Sequence, residues 1–518
     1  MKLELEVSGF GVQVSGTPGM LTPETRNPKP PKATRMKPFW IAGTVFGTLF
    51  AVLFFLRIGL FQRPFHRILQ SPPSISRLLP DFINEGETWM KVIQNERKIG
   101  YSRSKMEKEG SGYRFQEVLT LRINSMGMVQ ELVMETSARF QSDLSLSSFD
   151  ARIRSGRFRF SARGTVSGKR LTIGTEADER MQTMTVRLEK PIYLLSGMIQ
   201  AAAASFDGAA FEIFDPITLS SIPVEVKTIG YEQIFSDGTW HRAKKISLTF
   251  KGATQFAWIG KKGSVLKESG LLGMTLERTS KDDALSGSPF EAGEDLTAAA
   301  SIASNVEIED PALLERLTVR LEGDLNPEAI AGGRQTFADG ILTVRKEKIK
   351  AGSKGKKRIG PESLSPAPFI QSDHPKILSL AAEIIGESGS SLSKAVKLVS
   401  WVNEHIEKRP VLSVPDALST LQNRMGDCNE HAVLLAALAR AAGIPTRIEA
   451  GLTYLNGRFY YHAWNLLYLG EWITADATLG QIPADVTHLR LTAGDRALPM
   501  DLLGVIGKLR MTVIGLEP

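Results

Sequence analysis

Alternation of apolar and polar residues with a period of two runs through the chain from about Gly86 to Leu272. Leu119-Thr120-Leu121-Arg122-Ile123, Arg157-Phe158-Arg159-Phe160 and Ile246-Ser247-Leu248-Thr249-Phe250 each send every second side chain to one face, the pattern of antiparallel sheet with one face in water. Turn signals such as Ser167-Gly168 and Gly260-Lys261-Lys262-Gly263 separate the runs. The pattern predicts an antiparallel β-rich domain over residues 85–280, broken by an apolar, alanine-rich stretch from Glu189 to Phe206 that reads as a helix lying against the sheet. After a polar, acidic stretch near Asp282 to Asp295, a small β-rich module is expected at 300–347. From residue 370 the period changes. Ser372-Asp373-His374-Pro375 is a helix-start signal, and Leu392, Ala395, Val399, Val402 and Ile406 form the stripe of an amphipathic helix. A second apolar helix runs through Leu434, Leu435, Leu438 and Ala442 and ends at Gly443-Ile444-Pro445. Two strand-like runs, Arg447 to Tyr454 and Arg458 to Leu469, join at the hairpin signal Asn456-Gly457, and a third, Trp472 to Ala477, follows a turn containing Gly470. Residues 491–518 read as a C-terminal strand region.

The N-terminus changes the setting. Pro38 to Leu56 carries no charge and is rich in Phe, Leu and Val, between Lys37 and Arg57; at helical rise this spans about 28 Å, close to the hydrocarbon thickness of a bilayer. Residues 38–60 are therefore read as a transmembrane anchor. Arg26, Lys29, Lys32, Arg35 and Lys37 outnumber Arg57, Arg63 and Arg67 across it, so residues 1–37 are expected in the cytoplasm and the rest of the chain on the far side, the periplasm of a bacterial cell. A cleaved signal peptide is the rival reading; the long n-region and the absence of small residues after Leu56 argue against it. About 460 residues beyond the anchor are too many for one core, so several domains are expected. The formal net charge is +7, and Arg345 to Arg358 holds eight Lys or Arg against one Glu among Gly and Ser. Residues 345–368 read as a solvated basic linker rather than a nucleic-acid site, since aromatics are not interleaved with the charge.

The only cysteine, Cys428, lies in Gly426-Asp427-Cys428-Asn429-Glu430-His431, where an irregular stretch enters the second apolar helix. Unpaired backbone N–H groups and the helix dipole favour negative charge there, so a thiol at this position ionises below its free pKa of about 8.5. His462 lies in the second strand run with Trp464 on the same face, and Asp476 lies in the third. If Tyr468 to Gly470 is a three-residue loop, Leu467 faces Glu471 and His462 faces Asp476 directly, at a cross-strand spacing of about 5 Å. A slip of one residue would send Asp476 to the other face. The three residues then read as nucleophile, base and orienting carboxylate, with the Cys428 N–H as one oxyanion donor. His431, one helical turn past Cys428, is the competing base. Trp464 is either core or a wall of the site that touches substrate. His66, His241, His374, His405 and His488 show no ligand spacing, and one cysteine excludes thiolate zinc sites. No metal, calcium loop or cofactor is expected.

These segments resemble the transglutaminase-like superfamily, whose core shares the papain-like Cys, His, Asp arrangement. The likeness rests on the helix-opening GDC at 426–428, RAAGIPTR at 440–447, HAWN at 462–465 and WITADAT at 472–478, and covers residues 370–490. Asn465 stands where many members have glutamate, and Ala477 where proline is common. The resemblance implies an α+β fold: an antiparallel sheet carrying His462 and Asp476, with the Cys428 helix packed on it, following the anchor and the β-rich domain. It also implies a cysteine-dependent acyl-transfer enzyme that forms a thioester with a protein or peptide substrate and passes the acyl group to water or to an amine, with hydrolysis preferred. A non-catalytic peptide-binding or scaffold protein of the cell envelope is the alternative. Substrate identity and oligomeric state stay open.

Overall fold

The computed structural model describes residues 83–177, 180–204, 209–250, 252–270, 272–349, 359–494, 502 and 505–518. Strand is the dominant element. Among the described residues no helix is long and apolar enough to cross a membrane; the expected anchor at 38–60 lies outside them, as do residues 350–358 of the basic linker.

Among the described residues, fifteen strands form one sheet that is antiparallel except at one edge. Strands from Gly86–Gln94 to Arg180–Arg187 pair in chain order, as do those from Ala210–Asp215 to Met274–Thr279, and Gly86–Gln94 pairs with Met274–Thr279 to join the two meanders. The alternation sets the faces: Phe149, Ala151 and Ile153 are buried, while Arg152 and Arg154 between them are exposed. The Ala-rich stretch forms the helix Leu195–Ala204, whose Met198, Ile199, Ala201 and Ala202 are buried, and which with Met90, Leu119 and Met134 lines a cavity of about 100 Å3 on the inner face. A void of that size is too small for an acyl chain, and this helix and sheet make a packed core.

The expected small module is built from both ends of the remaining chain. Its sheet runs in the order Gln335–Ala338, Ile341–Arg345, Arg316–Glu322, Arg510–Glu517, so the C-terminal strand completes it. Ile302–Ala303 instead joins the sheet of the next domain, against Arg458 and Phe459.

That domain places four helices, Pro375–Ile385, Ser391–His405, Ala417–Asn423 and Cys428–Ala441, on the sheet of Thr446–Leu455, Arg458–Tyr468, Trp472–Ala475 and Leu489–Gly494. His374 caps the first helix and Pro375 takes its first position, where the missing N–H costs nothing. The amphipathic stripe buries Ala395, Leu398, Val399 and Val402 of Ser391–His405. Cys428–Ala441 is buried on all sides from Cys428 to Arg440, as a central helix covered by three others and a sheet must be. Asn456 and Gly457 both take positive φ, 47° and 80°, the geometry of the tight hairpin turn that their sequence signals. Thr446–Leu455 lies centrally, with Gly451 opposite His462 on one side and Arg490 on the other.

Gly451 permits this close packing: a Cβ there would lie 1.9 Å from the Leu489 carbonyl oxygen. Gly451→Ala is expected to destabilise the domain by roughly 1–3 kcal/mol through overpacking, read as a lower denaturant midpoint with unchanged slope; an unaltered midpoint would contradict the pairing of Gly451 between His462 and Arg490.

Candidate active site

Asp427 caps the cysteine helix. Its Oδ1 accepts from Asn429 N at 2.9 Å, and Glu430 Oε2 accepts from Asp427 N at 3.0 Å, a reciprocal capping box that leaves Cys428 as the first helical residue. Gly426 lies tight against this box, since a Cβ there would meet Glu430 Cβ at 2.3 Å. Burial, reinforced by Glu430, pushes Asp427 well above the usual carboxylate range. Burial also raises Glu430, against the hydrogen bonds it receives from Asp427 and Ser413. A protonated Asp427 removes a like charge from beside the position where a thiolate would form.

The strand Arg458–Tyr468 carries His462 and is tied to the cysteine helix by Asn465, whose Nδ2 donates to the Ala432 carbonyl at 2.9 Å. Glutamate, the residue many transglutaminase-like sequences have here, has no such donor when ionised. The next turn differs from expectation. The loop is Leu469-Gly470-Glu471, so Leu467 pairs with Ile473 rather than Glu471. The register is shifted by two residues, which keeps Asp476 on the His462 face but places it diagonally instead of directly opposite. Asp476 sits just beyond the end of Trp472–Ala475, in a turn closed by its backbone bridge to Gln481. Asn403, from the helix Ser391–His405, donates to the carbonyls of Ala477 and Thr478 and holds that turn in place.

Asp476 Oδ1 accepts from Thr478 N at 2.7 Å and Leu479 N at 3.1 Å; Oδ2 lies 2.6 Å from His462 Nε2 and 2.9 Å from His488 Nε2. Burial works to raise its pKa, but the two imidazoles outweigh burial and hold it well below the carboxylate range. An ionised carboxylate only accepts, so His462 Nε2 carries the hydrogen. The other ring nitrogen, His462 Nδ1, is buried with no hydrogen-bond partner.

Sequence spacing missed His488. It is fully buried between Asp476 and Asp485, with Nδ1 3.3 Å from Asp485 Oδ1. Both ring nitrogens face carboxylates, so both donate; burial opposes the charge, yet Asp485 and Asp476 raise His488 to about 9. The Asp485-Val486-Thr487-His488 stretch follows the last strand run recognised in the sequence and has no periodic signal, so nothing in one sequence ties it to Asp476. His431, the competing base, hydrogen-bonds through Nδ1 to the Asp427 carbonyl at 2.6 Å, and burial lowers it to about 4. That ring is neutral and fixed to its own helix. Trp464 is 1 % exposed, packs edge-on against His488 at 5.3 Å between centroids, and donates from Nε1 to Glu449 at 3.1 Å. It backs the histidines from within the core.

His462, Asp476 and His488 offer atoms within 4.8 Å of one another. Each short contact is an imidazole N–H on a carboxylate, so protons occupy the positions a cation would need. We assign no metal here.

Residues 378–477 match the model of the transglutaminase-like superfamily. The chain contains a transglutaminase-like domain. At the level of the superfamily this groups it with cysteine-dependent enzymes. No curated protein is significantly similar to the chain. Among solved structures it is similar to an inferred cysteine protease from Cytophaga hutchinsonii, at 17% identity and a TM-score of 0.26, over 39% of this chain and 86% of that one. It is also similar to a β-barrel-like protein from Brucella abortus built on a domain of unknown function, at 9% identity and a TM-score of 0.30, over 37% and 94% of the two chains. An inferred protease from Parabacteroides distasonis covers 68% of both chains at 12% identity and a TM-score of 0.21.

The His488 geometry has a pH signature. Its folded pKa of about 9 exceeds the unfolded value of about 6.5, so its contribution is complete below pH 6.5 and is lost as pH rises through 9. Asp476 runs the opposite way: its contribution is present above the unfolded pKa of about 3.9 and is lost in acid as pH falls through its lowered folded pKa. Thermal unfolding between pH 6 and 10 should show stability falling by a few kcal/mol toward pH 10, of the order that 2 to 3 pKa units imply. His488→Gln should flatten that fall; a parallel fall in the variant would refute the paired imidazolium.

Proposed function

We propose that the chain is a cysteine-dependent acyl-transfer enzyme acting on peptide or glutamine amides through a thioester at Cys428, with His462 as base and Asp476 as the group that orients it. The observation that carries this reading is the His462 Nε2 contact with a buried, ionised Asp476, which leaves Nδ1 unpartnered in the domain whose one cysteine opens a helix. Cys428 Sγ attacks the amide carbonyl carbon while His462 Nδ1 takes the thiol proton. The tetrahedral intermediate collapses with cleavage of the C–N bond, and His462 returns the proton to the leaving amine. A water then adds to the thioester, giving up a proton to His462, and the C–S bond breaks to release the acid and free Cys428. With an amine in place of water the product is a cross-link. Hydrolysis, seen as peptide cleavage or deamidation, is the preferred outcome. His488 acts as a positioning residue, because its imidazolium fixes the oxygen of Asp476 that meets His462. The apolar stretch at 38–60 is proposed as a membrane anchor with the catalytic domain outside the cytoplasm.

One observation favours the alternative, a non-catalytic peptide-binding or scaffold protein: Cys428 and His462 are fully enclosed, and Asp476 is too. Turnover therefore needs a local opening that admits substrate. Purified full chain incubated with glutamine-containing peptides should release ammonia or new amino termini. Cys428→Ala should abolish this release, and Asp476→Asn should reduce the rate by roughly 10⁴-fold, the order for losing the orienting carboxylate of a triad. Complementation retained by Cys428→Ala, with no release by the unsubstituted chain, would establish the binding reading, and amine incorporation without hydrolysis would reverse the preferred fate.

A further inference from the structure

The β-rich domain presents a cationic hairpin to the transglutaminase-like domain. Strands Leu146–Ser155 and Phe158–Ser167 carry Arg152, Arg154, Arg159 and Arg163 at exposed positions, with Arg157 in the turn between them. Arg154 lies directly opposite Arg159, and like charges in that position cost stability. Two carboxylates answer them: Asp150 is shared by Arg152 at 3.1 Å and Arg163 at 2.8 Å, and Glu135 meets Arg154 at 2.6 Å. Arg157 and Arg159 make no ion pair among the described residues. Elsewhere in this sheet Lys245 meets Glu232 one to one.

A groove of about 540 Å3 separates this hairpin from residues 412–423, within the size range of ligand sites, which favour domain boundaries. Glu176 and Asp416 also line it, but Asp416 is buried, capping the helix Ala417–Asn423 and bonded to Gln371, and burial raises its pKa. Phe158, Phe160, Leu412 and Val414 give the groove apolar surface. The boundary is packed: Phe160 lies 6.2 Å from Phe369 between ring centroids, and Gln130 Nε2 donates to the Pro410 carbonyl at 3.0 Å. The far wall reaches the candidate active site, because Ser413 Oγ donates at 2.6 Å to Glu430, two residues past Cys428 in the first turn of its helix.

We propose that this groove recognises the substrate and that the substrate is an acidic peptide, its carboxylates held by Arg154, Arg157 and Arg159 and its apolar side chains laid against the edges of Phe158 and Val414. The proposal rests on the reading of Cys428 as an enzyme acting on peptides. Arg159, which has no carboxylate of its own among the described residues, and Arg154 directly opposite it form a site for a carboxylate laid between them.

The test is binding of a fluorescent hexaglutamate peptide to the full chain carrying Cys428→Ala, read by anisotropy. The peptide should bind with a Kd that rises with salt, and the double variant Arg154→Gln/Arg159→Gln should weaken it at least tenfold. Its thermal midpoint should stay close to that of the unsubstituted chain, since a like-charge contact and the exposed Arg154–Glu135 ion pair are lost together, so a folding defect is distinguished from lost recognition. No binding, or binding that survives the double substitution, overturns the proposal, as does a phosphoserine peptide that binds in preference to the glutamate peptide. Binding without turnover by the unsubstituted chain supports the groove while overturning the enzymatic reading.

Discussion

A buried, ionised carboxylate is the constraint around which the transglutaminase-like domain is built. An unpaired charge at the position of Asp476 would cost several kcal/mol, and the fold meets that cost with four donors from three places: two turn amides, the histidine strand and the segment that carries His488. Each donor needs its own support. Asn403 fixes the turn, Asn465 fixes the histidine strand to the cysteine helix, and Asp485, Thr487 and Gln481 fix the far side of His488. The orientation of His462 is thus a product of the whole domain rather than of one hydrogen bond.

The small module belongs to the same network. Arg334 donates to the backbone carbonyls of Ala484 and His488, and Gln335 pairs with the backbone of Arg490 on both its N–H and its carbonyl. Arg490 then meets Glu449, which accepts from the Trp464 indole beneath the two histidines. Glu347 takes the backbone N–H and the hydroxyl of Thr474, two residues before Asp476. A four-stranded sheet far from Cys428 in the chain therefore positions both segments that flank the aspartate, and the C-terminal strand matters because it completes that sheet.

What could be read from sequence follows the range of each signal. The cysteine at a helix start, the Asn456-Gly457 hairpin and the shared face of His462 and Trp464 depend on neighbours within a few residues, and these local rules place them correctly. The strand register depends on which three residues form the turn at Gly470; misplacing that loop by one residue moved the pairing by two, and the parity of the strand kept Asp476 on the right face. His488 stayed hidden because its partners, Asp476 and Asp485, meet it through an irregular segment where neither period applies. Alternation placed Trp464 on the face of His462 but could not give its depth, since it sets direction only. The closing of the fifteen-stranded sheet through Gly86–Gln94 and Met274–Thr279 is a pairing of chain ends nearly two hundred residues apart, which alternation within each strand cannot specify.

Enclosure bears on the fate of a thioester in this domain. A nucleophile, base and carboxylate that are all removed from solvent strengthen their mutual electrostatics and keep water from competing with an incoming acceptor. Hydrolysis then requires that the opening which admits the peptide also admits water. The segment Val411, Leu412, Ser413 and Val414 is the nearest element with the right connections: it is largely buried, contacts the first turn of the cysteine helix through Ser413, and forms one wall of the groove facing the β-rich domain. Among the described residues its nearest regular pairing is the two-residue parallel bridge of Glu407–Lys408 with Met425–Gly426 just before it. An occupant of the groove would therefore lie against the element that packs on the first turn of the cysteine helix.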